Sequence, residues 1–491
     1  MKRNATKITY GVFGPAVGRM AYAGYDAART LNRVDGHTSG GLQSGAYHES
    51  IYRDQLLSQS REFYRNNMLY KGIIDRCVNY VIGGGFGVQF RTSDQAWNEK
   101  AESLWEDYWR RPERRGILPG PRVERLVLQE RLIAGDVLAL LLSSGLIQLV
   151  ESEQIRGPDY KTSGITTDGF GKPVSFRLVP YSDFGHLEYG SGKDHKAEDV
   201  LFVVDPERPS SLRGVPACQS AFPMLHRIND VCDSEAVAWQ LLSRLPISRT
   251  RVNGPELAFG DSTADPQSDD FRVTDLDYAM IFEGAPGDEI RAIDRNIPGR
   301  DFPQSLTMFM RLLGLPLGLP LEIVLLDWTK SNYSQSRAVL EQAFQTFESH
   351  QLVQEMLFLR PLITWRVQKW IDSGELSPNP EAFNPKKLEL LPPTWPWIDQ
   401  LKEVQAHTEK VERGFITHSQ VCKALHRDRD ELMEQRQREV MDAIERAKLI
   451  EATTGVKVPW EIFAGVSVQS GKVNAAALPV EPEEEAVQEN D

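Results

Sequence analysis

The chain has 491 residues, of which 41% are hydrophobic and 25% charged, and its formal net charge is −13. That length gives room for about three domains of ~150 residues with a full apolar core. The acidic excess excludes a protein that sequesters DNA by neutralising phosphates with clustered Lys and Arg, but it suits a surface that DNA must slide past.

Four cysteines, Cys77, Cys218, Cys232 and Cys422, lie far apart. Without a CxxC pair they point to neither a zinc site nor a disulfide framework, and a reducing cytoplasm is the simplest setting. The start, Met1-Lys2-Arg3 with Ala21-Tyr22-Ala23 further on, imitates a secretory signal, but Gly11, Gly14, Pro15 and Gly18 interrupt its apolar run. No stretch is apolar for long enough to span a bilayer.

Residues 1–45 are rich in Gly, Ala and Ser and read as a flexible arm. A helix is expected over 56–82, with Phe63, Ile73, Ile74, Cys77, Val78 and Val81 facing the core and Gly83-Gly84-Gly85 as its stop. The glycine run is not a phosphate loop, because the Lys-Ser/Thr ending is absent and the order is helix then strand. A strand is predicted over 86–91. A helix capped by Asp94 follows, whose Trp97, Ala101, Leu104, Trp105 and Tyr108 share one side. That stripe is core, since base stacking needs basic residues interleaved with the aromatics, and these sit beyond it at Arg110–Arg115.

A helix near 123–133, a hairpin of 137–142 with 146–150 turning at Ser143-Ser144-Gly145, and strands at 174–180 and 200–204 complete a mixed α/β region with a surface loop over 164–171. A second long helix is expected over 216–245, with a kink or restart at Pro223, and His226 inside it reads as a packed residue. Strands at 247–252 and 279–283 flank the polar stretch 254–270.

Gly314, Pro316, Gly318 and Pro320 then forbid an unbroken helix. Asn332 can cap the next helix, with Gln335 closing a capping box. Apolar residues at Val339, Leu340, Ala343, Phe344, Phe347, Val353, Met356 and Leu357 mark a buried face that continues to Trp370, with a kink at Pro361. Residues 378–397 read as an ordered proline-rich linker. Three helices follow, over 398–413, after Thr417 and after Asp428. The last residues, Pro479–Asp491, form an acidic tail without aromatics, which is expected to be disordered.

Asn332-Tyr333-Ser334-Gln335-Ser336-Arg337 before a Leu340-Glu341 helix and after a Gly-Leu-Pro loop resembles the signature of lambda-type portal proteins of tailed bacteriophages. Arg65-Asn66-Asn67 with the glycine-rich helix end, and Asp205-Pro206-Glu207-Arg208-Pro209 with Arg213-Gly214-Val215-Pro216, are similar to further motifs of that family, and the likeness runs over roughly residues 40 to 450. Ser210-Ser211 departs from the usual Gly-Gln and Gln335 from the usual serine.

The resemblance implies an α+β portal-protein fold with long stem and tunnel helices, an α/β wing, a small β clip and a helical C-terminal crown. Its parts would be the arm (1–45), wing (46–215), stem helix (216–245), clip (246–297), second stem helix and turn (298–326), tunnel loop (327–335), long kinked helix (336–377), linker and crown (378–470) and tail (471–491). It further implies a homo-oligomeric ring, commonly a dodecamer, at one capsid vertex of the virion and in the host cytoplasm during assembly. The ring nucleates head assembly and passes double-stranded DNA. Implied partners are the terminase large subunit, the major capsid protein and head-tail connector proteins, with no cofactor, no metal, no membrane and no catalysis.

Asp327, Trp328, Thr329, Lys330, Ser331, Asn332 and Tyr333 would face the DNA, and Phe344 and Phe347 would meet neighbouring subunits. Two rivals come from other classes. One is a DNA-processing or cell-wall-degrading phage enzyme using carboxylates such as Asp269-Asp270 or Asp428 with Asp430, although these lie in polar or helix-capping contexts. The other is a DNA-binding regulator that uses the short, basic helix pair after Thr417, with Lys423, Arg427 and Arg429.

Overall fold

A computed structural model of the chain describes residues 44–158, 163–243, 247–249, 272–276, 279–283, 302–326, 333–395, 400–425, 427–456 and 458–464. The chain divides after Pro393 into two compact units. Residues 1–43 of the arm expected over 1–45, the expected cap at Asn332 and the acidic tail lie outside the described residues, and Gly45 already belongs to the first helix.

The first unit opens with α1 (Gly45–Asn66) and α2 (Met68–Ile82). One helix was expected over 56–82, but there are two, because Asn67 is extended (φ −107°, ψ 115°) and its side chain accepts the Tyr70 N–H to cap α2. The apolar positions of α2, Tyr70, Ile73, Ile74, Cys77, Val78, Val81 and Ile82, are all buried. Next come β1 (Gly87–Phe90), α3 (Gln95–Trp109), capped by Asp94 as expected, and α4 (Gly120–Ala134).

Two small antiparallel sheets follow. β2 (Asp136–Leu141), β3 (Ile147–Val150) and β7 (Val200–Val204) pair in the order β3-β2-β7, with the expected hairpin intact. β4 (Ile165–Thr167), β5 (Pro173–Leu178) and β6 (Lys193–Lys196) pair in the order β4-β5-β6. β4 lies inside the stretch read as a surface loop, and β6 carries Lys-Asp-His-Lys, so neither shows apolar alternation. Leu138, Leu140, Val150 and Val200 of the first sheet pack with Phe176 and Leu178 of the second into one core cluster.

α5 (Phe222–Ser243) starts later than the 216 expected, because Pro223 occupies its first turn, where no N–H is required. β8 (Ile247–Arg249), β9 (Arg272–Leu276) and β10 (Ala279–Glu283) form a mixed sheet, β8-β10-β9, in which β8 runs parallel to β10. Then come α6 (Phe302–Gly314), α7 (Leu321–Leu325), α8 (Tyr333–Gln354) and α9 (Arg360–Ser373).

α8 and α9 are joined by a π segment, Glu355–Leu359, in which the Arg360 N–H donates to the Glu355 carbonyl five residues back. The disturbance expected at Pro361 is absorbed upstream of it. Proline brings no N–H and crowds the carbonyl four residues earlier, and a widened turn relieves both. β11 (Leu388–Leu391) lies in the stretch read as a linker and pairs antiparallel with β1, Gly87 opposite Leu391 and Phe90 opposite Leu388.

The second unit holds α10 (Gln400–Glu412), α11 (His418–Ala424) and α12 (Arg429–Thr454). Both caps stand where the sequence puts them. Thr417 and Gln420 form a reciprocal capping box, and Asp428 accepts the N–H groups of Asp430 and Glu431.

Candidate functional site

Arg213-Gly214 lies at the junction between the first sheet and α5, and its partners are buried charges. Arg213 donates from Nε to Asp136 Oδ2 at 2.7 Å and from Nη2 to Oδ1 at 2.9 Å, while the Gly214 N–H reaches Oδ2 at 3.0 Å. From α1, Arg53 adds Nη2 to Asp136 Oδ1 at 3.2 Å and Nε to the Gly214 carbonyl at 3.1 Å. Glu49 accepts the N–H groups of Leu212 and Arg213, each at 3.1 Å. Arg213 also donates to the carbonyls of Ile155 and Ser152, each at 2.8 Å, and of Ser163 at 3.0 Å.

Burial alone would push the Asp136 carboxyl up. The Arg213 and Arg53 guanidiniums override it and hold the group at about 2. The same burial, together with Arg213, lowers Arg53 to about 10. Both glycines are required by the backbone approach: a Cβ on Gly214 would stand 1.9 Å from the Gly135 carbonyl oxygen, and Gly135, at φ +89°, would place one 2.2 Å from Gly214. This enclosed network fastens α1, β2 and the lead into α5 to one another.

Asp327, Trp328, Thr329, Lys330, Ser331 and Asn332 lie outside the described residues, and Tyr333 opens α8. Their anchors are described. On the near side, Gly314–Leu319 closes a turn through the Leu319 N–H to the Gly314 carbonyl at 2.9 Å, and Arg76 of α2 donates to the carbonyls of Ile323 and Val324 in α7. Leu326, the last described residue before them, has φ +54°. On the far side, α8 is fixed by Gln351 donating to the Val81 carbonyl at 3.0 Å and by His350 Nδ1, 2.8 Å from an Arg131 nitrogen.

Phe347 is 0% exposed and its ring stacks on Tyr80 at 5.2 Å, so it is spent inside the protomer and offers no area to a neighbour. This corrects the expectation that Phe347 is a subunit contact. Phe344 beside it is half-buried. Bare apolar surface lies elsewhere. Val231, Val237 and Trp239 of α5 are 38%, 53% and 55% exposed, and Met308 of α6 is 60%.

His226 packs against the Phe63 ring at 4.8 Å, as expected of a packed residue. Asp428 is spent on its helix cap, and Asp269-Asp270 lie outside the described residues. Among the described residues no group of three His, Cys, Asp or Glu is placed to hold a metal ion, and no helix is long and apolar enough to cross a membrane. Sequence reasoning missed Glu49, Arg53 and Asp136. The one available signal was Asp136 itself, a lone acid between Gly135 and an apolar strand.

The family described as phage portal protein, lambda family, matches residues 41–351. A protein named "Probable portal protein" from Halomonas phage phiHAP-1 is 21% identical over 341 residues, 66% of this chain, and the chain covers 60% of that relative's length. Among solved structures, "Virion of native gene transfer agent (GTA) particle" is similar with a TM-score of 0.39 and 14% identity, over 76% of this chain and 93% of that one. "Neck of native GTA particle computed with C12 symmetry" gives 0.40 and 15%, over 78% and 96%.

Proposed function

Since the chain belongs to the lambda family of phage portal proteins, we propose that copies of it close into a ring, a dodecamer, at one capsid vertex, and that this ring conducts double-stranded DNA into and out of the head. The observation that carries the ring is the bare apolar surface of α5 and α6, with Trp239 and Met308 more than half exposed in a single copy. On this reading 46–215 is the wing, α5 and α6 are the stem, β8 to β10 belong to the clip and α10 to α12 to the crown.

Residues 327–333 line the tunnel and bring one cation, Lys330, per copy. A single phosphate contact per subunit grips DNA weakly, and an acidic chain keeps it moving. The terminase large subunit, which supplies the ATP hydrolysis, docks first, and head-tail connector proteins replace it. The major capsid protein surrounds the ring, which forms in the host cytoplasm and ends in the virion. The portal itself catalyses nothing.

Mass photometry and negative-stain imaging of the purified protein test the ring. Annular particles of about twelve copies are expected, whereas a monodisperse monomer at micromolar concentration would sink the proposal.

A further inference from the structure

The last turn of α8 carries two buried glutamines whose amides are spent on neighbouring helices. Gln351 donates to the Val81 carbonyl in the last turn of α2. Gln354, the last residue before the π segment, donates from Nε2 to the Glu124 carbonyl of α4 at 3.2 Å. A carbonyl oxygen only accepts, so the amide nitrogen must face it and the amide oxygen must point elsewhere. That oxygen, Gln354 Oε1, has no hydrogen-bond partner among the described residues, and neither has Oε1 of Glu124. The second Glu124 oxygen accepts the Phe86 N–H at 3.1 Å.

Two bare acceptors on residues in contact are unfavourable, since both were hydrogen-bonded to water in the unfolded chain. Glu124 and Gln354 are each 0% exposed, so no ligand from solvent reaches either oxygen. A proton is the one addition that takes no volume. On Glu124 Oε1 it turns an acceptor into a donor and satisfies both atoms with a single O–H to O bond. Burial favours it there, pushing the carboxyl up to about 8. No ionised group competes for it, because the groups that act on this carboxyl are the Phe86 N–H and the Trp109 indole. Charges on the surrounding elements are turned to other partners: Asp75 to Tyr64 and Arg76 to the Ile323 carbonyl from α2, Arg125 to Asn79, Arg131 to His350 and Glu130 to Arg61 from α4, and Glu355 to Arg360 from the π segment.

We propose that Glu124 holds a proton in the native chain and donates it from Oε1 to Gln354 Oε1, a latch that pins the π segment to α4 and opens as the proton is lost. Its position gives it leverage. α8 and α9 are one long helix interrupted at Glu355–Leu359, and Gln354 caps that interruption. A π turn departs from the regular hydrogen-bond ladder, so its geometry depends on what holds its ends. The acid form is the closed one: the latch is complete below the ordinary carboxyl value of 4.5 and is lost as pH rises through about 8. This goes beyond the portal reading and does not rest on it.

Hydrogen–deuterium exchange of the full-length chain, read by mass spectrometry from pH 5 to pH 9 and corrected for the intrinsic rise of exchange with pH, tests the latch on peptides covering 352–362. Protection there is expected to fall by up to about tenfold per pH unit as far as pH 8 and then to level off, while β2 keeps its protection. Glu124→Gln carries a fixed N–H donor in place of the proton and makes the profile flat and protected. Gln354→Met removes the acceptor and leaves these peptides exchanging fast at every pH. A native profile that is flat in pH overturns the proposal, as an ionised Glu124 satisfied by an enclosed water would give. An unchanged pH dependence in Gln354→Met overturns it too, as does a loss of protection shared equally by β2, which reports general unfolding. The native profile alone gives the first result, so a variant that fails to fold does not block the test.

Discussion

Asp136 carries two guanidiniums and a backbone N–H in a space closed to water, and the balance fails if one member changes. Asp136→Asn keeps the shape but strands two buried cations. A loss of roughly 3–5 kcal/mol is expected, read as a lower urea midpoint for the first unit. Glu124 is the opposite case. It is fully buried, accepts the Phe86 N–H at 3.1 Å, and its Oε1 has no hydrogen-bond partner among the described residues, so burial pushes its carboxyl up to about 8. A raised acid favours the protonated native state: its contribution is complete below the ordinary value of 4.5 and is lost as pH rises through about 8. Thermal melting of the native chain is therefore expected to fall between pH 5 and pH 9 by more than that of Glu124→Gln, the gap reaching as much as roughly 4 kcal/mol. Parallel curves for the two proteins would show that Glu124 finds a cationic partner. His350 follows the depressed case: burial and Arg131 hold it at about 3, so its share of stability is present above pH 6.5 and declines as pH falls towards 3.

Helices separate apolar surface used within the chain from surface left over, and substitutions can tell these apart. Phe347→Ala in α8 is expected to cost about 3–5 kcal/mol of stability in every assembly state, because the stacked Tyr80 loses its partner. Trp239→Asp in α5, at a 55% exposed position, should leave the melting of the dissociated chain within about 0.5 kcal/mol and abolish rings in mass photometry. Rings of unchanged size would take α5 off the subunit boundary. Helices with readable caps, such as α3 after Asp94 and α12 after Asp428, were legible in the sequence because local chemistry sets them. β11 and the inward use of Phe347 were not, because each depends on a partner far away in sequence; β4, β6 and the break at Asn67 were missed for a local reason, since the two strands lack apolar alternation and Asn67 interrupts an otherwise continuous helical pattern. The candidate site shows the same division: Arg213-Gly214 stands out as a motif, whereas its partners Asp136, Arg53 and Glu49 come from separate elements with no shared pattern.

For the whole ring, the proposed tunnel makes a collective prediction. Lys330→Ala should leave ring formation intact and change DNA retention in packaged particles, with the difference shrinking as salt rises, since each phosphate contact contributes to a salt-dependent affinity. Retention and packaging that match the unsubstituted protein across salt would remove Lys330 from the grip on DNA.

The pairing of β1 with β11 also has a consequence in time. Gly87–Phe90 leaves the ribosome long before Leu388–Leu391, its partner strand, has been made. At ~5–20 residues per second, the intervening ~300 residues take on the order of 15–60 s to synthesise. Through that interval β1 is an open strand edge, with Val88 and Phe90 ready to pair with another nascent chain. Closure of this ladder is thus a late, non-local folding event. Translation that slows after residue 90 lengthens the exposure, and faster elongation shortens it, so the yield of soluble protein becomes a function of synthesis rate as well as of stability.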